Sequence, residues 1–304
     1  MHALRVHDQQ DKDIRYEQAP DPSPGTGDVL VEVRAATFTP TELDWPSTWV
    51  DRSGRDRTPV IPGHEVSGIV TACGYGTTGL APGDEVYGIT DWYRDGAAAD
   101  YVAAEARNLA HKPASVTHPE AAALSLAGLT AWQALFVHGD LKPGQTVVIT
   151  GASGGVGTLA VQLARDSDAR VAAVAHGWAR DLLDGLDATE FIDAGDPHAG
   201  VTDADLLLDL TGGDLAGRYA AMIRRGGTVV SVVASQPPVP ADGKSVFFVV
   251  EPDRAQLTEL ARLADAGRIR PVIGKQVRMA DAPAEAFAAK RAGGVPGKVI
   301  LQTG

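Results

Sequence analysis

The chain has 304 residues, of which 44% are hydrophobic and 22% charged, as in an ordinary globular protein of one large or two moderate domains. Its formal net charge of -12, with no compensating basic run, argues against a nucleic-acid partner. No apolar run reaches the length of a membrane span, and the first eight residues lack the apolar core of a signal peptide. We therefore expect a cytoplasmic protein with no membrane partner.

The only cysteine is Cys73, so the chain has neither an intrachain disulfide nor a multi-cysteine zinc site. It ends a strand-like run, 70–74, and we expect it to be buried as a small hydrophobic side chain. An oxidising compartment is therefore not indicated.

The first hundred residues favour β-structure. Residues 29–34 alternate valine with charged or larger side chains, which predicts a half-buried strand. Further strands are expected around residues 69–70 and, after the turn 82–84, at residues 85–89.

From residue 117 the pattern changes to alternating helices and strands. Thr117 and Glu120 have the spacing of a capping box and predict a helix that continues to about Val137. Further apolar strands are expected at residues 146–150, 171–175, 205–209, 228–233 and 246–250, and a helix at residues 252–267. This alternation is typical of an α/β fold with a parallel sheet covered on both faces.

A glycine-rich run, residues 151–157, directly follows the apolar strand 146–150. Strand, glycine turn, helix and second strand fit into about thirty residues, the size of one βαβ unit. Such a turn brings backbone N–H groups against a pyrophosphate, so the run predicts a dinucleotide site. The alternative is a helix cap in an α/β domain that binds no ligand.

Five short motifs occur in the order found in one enzyme family: 63–65 (Gly-His-Glu), 82–86, 128–132, the glycine run 151–157, and 297–301. With them the chain resembles the medium-chain dehydrogenase/reductase superfamily, in its zinc-independent, quinone-oxidoreductase-like branch. The resemblance implies a β-rich, GroES-like catalytic domain, residues 1–117, completed by residues 268–304. It further implies a Rossmann NADP(H)-binding domain with a doubly wound parallel sheet, residues 118–267, a cofactor cleft and a homodimer.

A catalytic zinc ion is not expected. His64 matches the family's ligand histidine, but Thr39 stands where the family has a ligand cysteine, and residues 121–125 supply no third ligand. Catalytic zinc needs three protein ligands and an open position. Without zinc, hydride transfer to a conjugated C=C bond or a quinone is favoured over simple alcohol oxidation.

Three side chains are the catalytic candidates. By family position, the Thr39 hydroxyl is the first candidate to steady the negative charge that develops on the substrate oxygen. Tyr93 is a second donor, or else an aromatic residue of a surface loop. Trp45 forms a wall for a planar substrate, or else packs the domain.

NADPH is the predicted cofactor. Rossmann folds specific for NAD place an acid at the end of the second strand, whereas residues 174–180 contain none. Arg180, with His176, is the candidate for binding the 2′-phosphate, since a guanidinium suits its charge and geometry. Arg180 could otherwise be a solvated helix residue.

The remaining cofactor contacts are implied by the resemblance. They are the glycine-run residues Gly151, Ser153, Gly154, Gly155 and Val156, with Thr130, Val233 and Phe248 toward the nicotinamide and Lys298 near the cofactor.

The sequence therefore predicts an NADPH-dependent reductase of a small-molecule quinone or α,β-unsaturated carbonyl substrate. A reductase of enoyl thioesters or polyketide intermediates is the alternative among enzymes. A non-catalytic NADPH-binding redox sensor is the alternative from another class.

Overall fold

The computed structural model describes residues 1–196, 201–281, 284, 287–288 and 292–303. The predicted completing segment, 268–304, is therefore described only in part. The chain divides into two compact units. Unit 1 contains residues 1–126, 252–267 and 271–304, and unit 2 contains residues 127–251 and 268–270.

The strands are, in chain order, β1 (His2–Val6), β2 (Ile14–Gln18), β3 (Asp28–Thr37), β4 (Glu65–Cys73), β5 (Glu85–Ile89), β6 (Tyr101–Glu105), β7 (Leu109–His111), β8 (Thr146–Thr150), β9 (Arg170–Ala175), β10 (Glu190–Asp193), β11 (Ala204–Asp209), β12 (Ile223–Ser231), β13 (Lys244–Phe247), β14 (Ile273–Arg278) and β15 (Lys298–Gln302). The α-helices with described bounds are α1 (Pro46–Trp49), α2 (His118–Trp132), α3 (Gly155–Asp166), α4 (Arg180–Asp184), α5 (Gly213–Ala220) and α6 (Arg254–Asp265). Short 3-10 turns lie at Glu42–Asp44, Ala106–Asn108 and Gly177–Ala179, and a π-helical segment at Gln133–His138.

Unit 1 is built on a seven-stranded sheet. Its order is β14-β15-β3-β4-β5-β7, and β6 pairs with the first half of β3. The three valines of residues 29–34 are buried, as their alternation predicts, and they belong to the core of this unit. The last two strands of the chain thus share a sheet with β3, which pairs antiparallel to β15.

Helix α2 begins with the predicted capping box. The Thr117 backbone N–H donates to the Glu120 carboxylate at 2.8 Å, and the Glu120 N–H donates to the Thr117 hydroxyl at 3.4 Å. With the π-helical segment it forms the helix 118–138, which is long and apolar enough to cross a membrane, contrary to the expectation from sequence. Most of it is buried inside the protein, as in the core helix of a globular fold.

Unit 2 is built on a six-stranded parallel sheet in the order β10-β9-β8-β11-β12-β13. After β8, the strands β9 and β10 are added on one side of the sheet. After β11, the strands β12 and β13 are added on the other side, so the direction in which strands are added reverses between β8 and β11. This is the doubly wound arrangement expected from the alternating pattern, and the predicted α/β fold class is confirmed.

Three details differ from the sequence-based expectations. Residues 118–126 and 252–267 group with unit 1; for the latter, Arg254 on α6 donates to the carbonyl of Leu109 at 2.8 Å. The strand predicted at 246–250 is β13, which ends at Phe247 because its partner β12 ends at Ser231. Cys73 is exposed rather than buried.

Candidate functional site

The glycine loop of unit 2 has a backbone that side chains would not permit. Gly151 has a φ of +66°, a left-handed conformation that favours glycine. A Cβ on Gly157 would lie 2.3 Å from the Gly151 carbonyl oxygen and 2.6 Å from Cα of Ala152. Strand β8 and helix α3 can therefore approach each other this closely only with glycine at these positions.

The N-terminus of helix α3 is suited to bind an anion. Gly154 is the N-cap residue and has no side chain to accept hydrogen bonds from the first-turn N–H groups. No acidic residue lies in the first turn. Ser153, Gly155 and Val156 are half-buried around this point. Both the free N–H groups and the helix dipole favour a phosphate here.

The loop lies where a ligand is expected on such a sheet. It follows the carboxyl end of β8, beside β11, where the strand order reverses. Open parallel sheets bind ligands in the crevice outside their carboxyl ends at this reversal. The loops after β11 and β12 leave the same edge, and they carry Gly212 and Val233, of which Val233 is 51% exposed.

The end of β9 carries the predicted 2′-phosphate residues. His176 and Arg180 are both exposed, and the Arg180 guanidinium lies over the Phe191 ring, 4.2 Å from its centroid. An acid is also present, because Oδ2 of Asp193 lies 2.8 Å from the place of a Cβ on Gly177. Asp193 is not apparent from the sequence at the end of β9, because it belongs to the neighbouring strand, β10, and pairs there with the last residue of β9.

The other predicted cofactor residues differ in their surroundings. Thr130 is buried in helix α2. Phe248 is buried, with its ring 4.3 Å from the His138 ring, which the π-helical segment carries. Lys298 lies in unit 1, buried, where its ammonium pairs with the Glu65 carboxylate.

In unit 1, the candidate Thr39 is tied to a buried acid. Both oxygens of the Glu42 carboxyl accept backbone hydrogen bonds, from Gly63 at 2.7 Å and from Thr39 at 3.1 Å. Burial raises the pKa of Glu42 to about 8, and the neighbouring Glu65 carboxylate acts in the same direction. Glu42 thus fixes the segment that carries Thr39, and it is protonated in a large share of molecules at neutral pH.

An aromatic corner lies beside this segment. The rings of Trp45 and Trp92 meet edge to face with centroids 5.4 Å apart, and the His64 ring lies 5.1 Å from that of Trp92. Nδ1 of His64 is 2.8 Å from the Thr90 hydroxyl. Burial lowers the pKa of His64 to about 3, so its ring is neutral.

Tyr93 lies in different surroundings from Trp45. The Arg52 guanidinium sits over its ring, 5.0 Å from the centroid. Tyr93 also lines a surface cavity of about 430 Å³ together with Arg57 and Arg94, and the lining includes neither Thr39 nor Trp45. The segment 91–95 thus presents Trp92, rather than Tyr93, to the aromatic corner.

Two sequence families match the chain. Residues 25–114 match the alcohol dehydrogenase GroES-like domain, and residues 186–301 match the family described as zinc-binding dehydrogenase. The mitochondrial NAD(P)H oxidoreductase RTN4IP1 of Bos taurus is 30% identical over 325 residues, covering 90% of this chain and 81% of its own. The chain belongs to the medium-chain dehydrogenase/reductase superfamily.

Further comparisons place it in the quinone-oxidoreductase-like branch of this superfamily. The 2-methylene-furan-3-one reductase of Solanum lycopersicum is 31% identical, over 90% of this chain and 71% of its own. The quinone oxidoreductase structure from Coxiella burnetii has a TM-score of 0.89 at 25% identity and covers 100% of this chain and 99% of its own. The chain is therefore an NAD(P)H-dependent oxidoreductase of the quinone-oxidoreductase type.

The residues of this medium-chain dehydrogenase/reductase do not fit the zinc ion of its alcohol dehydrogenase relatives. Thr39 offers a neutral hydroxyl instead of the thiolate that a zinc ion would need there. Within the described residues, no group of three or more His, Cys, Asp or Glu side chains could hold a metal ion.

Glu42 and His64 give the stability of this dehydrogenase/reductase a two-sided pH dependence. Folded Glu42 keeps a proton that its unfolded form loses above pH 4.5, so the free energy of unfolding falls as pH rises from 4.5 to about 8. Folded His64 lacks a proton that its unfolded form holds below pH 6.5, so the same quantity falls as pH drops from 6.5 toward about 3.

These two contributions cancel between pH 4.5 and 6.5, so we expect maximal stability there, measured by urea unfolding at a series of pH values. The Glu42→Gln variant should lose the fall on the alkaline side, and His64→Asn the fall on the acidic side. An alkaline slope that is the same in Glu42→Gln and the wild-type protein would contradict the assignment to Glu42.

Proposed function

We propose that this protein is an NADPH-dependent reductase of quinones or α,β-unsaturated carbonyl compounds that works without a catalytic zinc ion. The observation that carries the proposal is the uncapped N-terminus of helix α3 at the reversal of the parallel sheet. The neutral hydroxyl of Thr39 in place of a ligand thiolate supports the second part. The names of the relatives, an NAD(P)H oxidoreductase and a reductase of a conjugated ketone, support the reaction class.

When bound, NADPH would supply the hydride. The first-turn N–H groups of α3 hold its pyrophosphate, and Val233 offers apolar surface at the same edge of the sheet. In unit 1, the Thr39 hydroxyl donates a hydrogen bond to the substrate oxygen as negative charge develops there. The ring of Trp45, which meets Trp92 edge to face, offers an apolar surface that suits a planar conjugated substrate.

The preference between NADPH and NADH depends on two opposing side chains. The exposed Arg180 favours a 2′-phosphate, and the Asp193 carboxylate favours a ribose hydroxyl. NADH is for this reason the second candidate cofactor. We favour NADPH because stacking on Phe191 holds the Arg180 guanidinium near the end of β9 without neutralising it.

Replacing Arg180 by alanine should weaken NADPH binding by roughly tenfold or more and NADH binding by less than about twofold, because only NADPH carries the phosphate. Dissociation constants from quenching of protein fluorescence measure both. Arg165→Ala removes another exposed arginine of unit 2, paired with Asp187, and serves as the control. Equal losses for the two cofactors in Arg180→Ala would reject the 2′-phosphate assignment.

The decisive experiment for the function is oxidation of NADPH and NADH by protein whose metal content has been measured and stripped. A small quinone, a conjugated enone and an enoyl thioester serve as acceptors. NADPH-selective turnover of quinone or enone supports the proposal. Turnover of the thioester alone would identify an enoyl reductase, and tight NADPH binding without any turnover would identify a redox sensor. Loss of activity on stripping that zinc restores would refute zinc independence.

We also propose that the protein forms a homodimer through strand β13. This strand is the last in the sheet order of unit 2, so one of its edges has no partner among the described strands. Phe247, the last residue of β13, is 41% exposed, and Val249, two residues beyond it, is 61% exposed. Light scattering after gel filtration measures the mass, and a monomer at micromolar concentration would reject the proposal.

A further inference from the structure

A buried carboxylate joins the ends of three neighbouring strands in unit 2. Asp209, the last residue of β11, is fully buried. Its Oδ1 accepts hydrogen bonds from the Thr150 hydroxyl at 3.1 Å and from the backbone N–H groups of Thr211 at 3.1 Å and Gly212 at 2.8 Å. Its Oδ2 accepts one hydrogen bond, from the Ser231 hydroxyl at 2.8 Å. Strands β8, β11 and β12 are thus tied together at their carboxyl ends.

The hydroxyls of Thr150 and Ser231 each accept hydrogen bonds from backbone N–H groups of a loop as well. The Thr150 hydroxyl accepts a hydrogen bond from the Leu210 N–H at 3.0 Å. The Ser231 hydroxyl accepts from the N–H groups of Val233 at 3.2 Å and Ala234 at 3.0 Å. Since Ser231 donates its only proton to Asp209, the carboxylate determines the orientation of the hydroxyl that holds the loop after β12.

This network spans the reversal point of the sheet. Thr150 directly precedes the glycine loop, and Asp209 lies on the adjacent strand across the reversal. The two loops held by Asp209 also come together, because a Cβ on Gly212 would be 3.4 Å from Cγ2 of Val233. The side chain of Val233 is 51% exposed in the loop that follows β12, at the edge of the sheet where a ligand is expected.

A buried carboxylate is costly to place at the end of a sheet, and apolar side chains would pack the same strands without that cost. We propose that Asp209, acting through Ser231, is a positioning residue that sets the loop 232–234 against the nicotinamide end of the bound cofactor. This inference rests on the proposed function. The glycine loop holds the pyrophosphate through its own backbone, so the network governs the placement of the reactive ring rather than the anchoring of the cofactor.

Two substitutions separate the loop from the rest of the network. Ser231→Ala removes the acceptor of the Val233 and Ala234 N–H groups and leaves the contacts of Oδ1 in place. Asp209→Asn has a related effect, because an amide group in place of Oδ2 no longer accepts the Ser231 proton. The control is Ser167→Ala, which removes a hydroxyl that donates to Ala164 at the far end of helix α3.

The experiment compares two ligands in the wild-type protein and these variants. One is NADPH, followed by its kcat with a quinone acceptor and by the fluorescence of its nicotinamide. The other is 2′-phospho-ADP-ribose, which lacks the nicotinamide. In Ser231→Ala we expect kcat to fall roughly tenfold and the fluorescence of bound NADPH to change, while the Kd of the fragment stays within about twofold. Asp209→Asn should behave in the same way if it folds, and Ser167→Ala should behave as wild type.

Two results would overturn the inference. The first is a Ser231→Ala protein with unchanged kcat and nicotinamide fluorescence. The second is an equal loss of affinity for NADPH and the fragment, which would show a role in the integrity of the site instead of ring placement. Failure of the proposed function is distinct, because the wild-type protein would then either bind neither ligand or bind NADPH without turnover of the quinone.

Discussion

Replacing Gly154 by valine is expected to abolish NADPH binding while leaving unit 2 folded. Valine can adopt the φ of -78° at Gly154, and its Cβ would meet only the Gly151 carbonyl oxygen, at 3.3 Å, so a small shift of that carbonyl accommodates the substitution. The rest of the valine side chain would occupy the space in front of the first-turn N–H groups of α3. A pyrophosphate that needs close approach to this backbone should lose at least about 100-fold in affinity.

Calorimetric titration with NADPH measures this loss, and circular dichroism with a urea unfolding curve verifies the fold. Gly217→Val is the matched control, since a Cβ on Gly217 of helix α5 meets nothing within 4 Å. Gly157→Ala should instead prevent the loop from forming, because its Cβ would overlap the Gly151 carbonyl. Binding of NADPH by Gly154→Val at wild-type affinity would remove the assignment of the glycine loop.

Replacing Lys298 by methionine is expected to destabilise the protein by about 3–5 kcal/mol, because the Glu65 carboxylate would stay buried without its cation. Lys298 begins β15 and Glu65 begins β4, and both side chains are buried in unit 1. Urea unfolding measures the loss. Combining Lys298→Met with Glu65→Gln in one chain should restore most of it, since no uncompensated charge then remains.

The single Lys298→Met variant also tests the predicted cofactor role of Lys298. If Lys298 serves only to neutralise Glu65, the affinity of the folded variant for NADPH stays at the wild-type value. A variant of unchanged stability that binds NADPH weakly would show the reverse, namely that Lys298 is a cofactor residue. The two outcomes are separated by measuring affinity well below the unfolding transition.

The dinucleotide part of the site could be predicted from sequence because its signals are local. The strand at 146–150 has the predicted bounds, and the glycine spacing of residues 151–157 reflects contacts within one turn of chain. The capping box at Thr117 is equally local. In each case the residues that interact are near neighbours in the chain, so their spacing alone carries the information.

The rest of the site depends on contacts that spacing does not encode. In the sequence, Glu42 occupies a position typical of an acid in the first turn of a helix. Only the fold shows that its carboxyl is buried and accepts a hydrogen bond from the Gly63 backbone. Trp92 and Tyr93 are adjacent, and the backbone of the segment 91–95 decides which of them meets Trp45. From the sequence, Asp209 is predicted only as the end of a strand. The sheet order shows that this strand lies between β8 and β12.

The return of the chain to the sheet of unit 1 sets a sequence of events during synthesis. Strands β3 and β4 leave the ribosome long before β15, which pairs with β3. The residues of unit 2 emerge in between, so the parallel sheet can assemble while the first sheet still lacks a strand. During that interval Glu65 has no ammonium group to neutralise it, because its partner lies 233 residues further on. The nascent protein must therefore keep this acidic strand end hydrated until Lys298 has been made and β15 has joined the sheet.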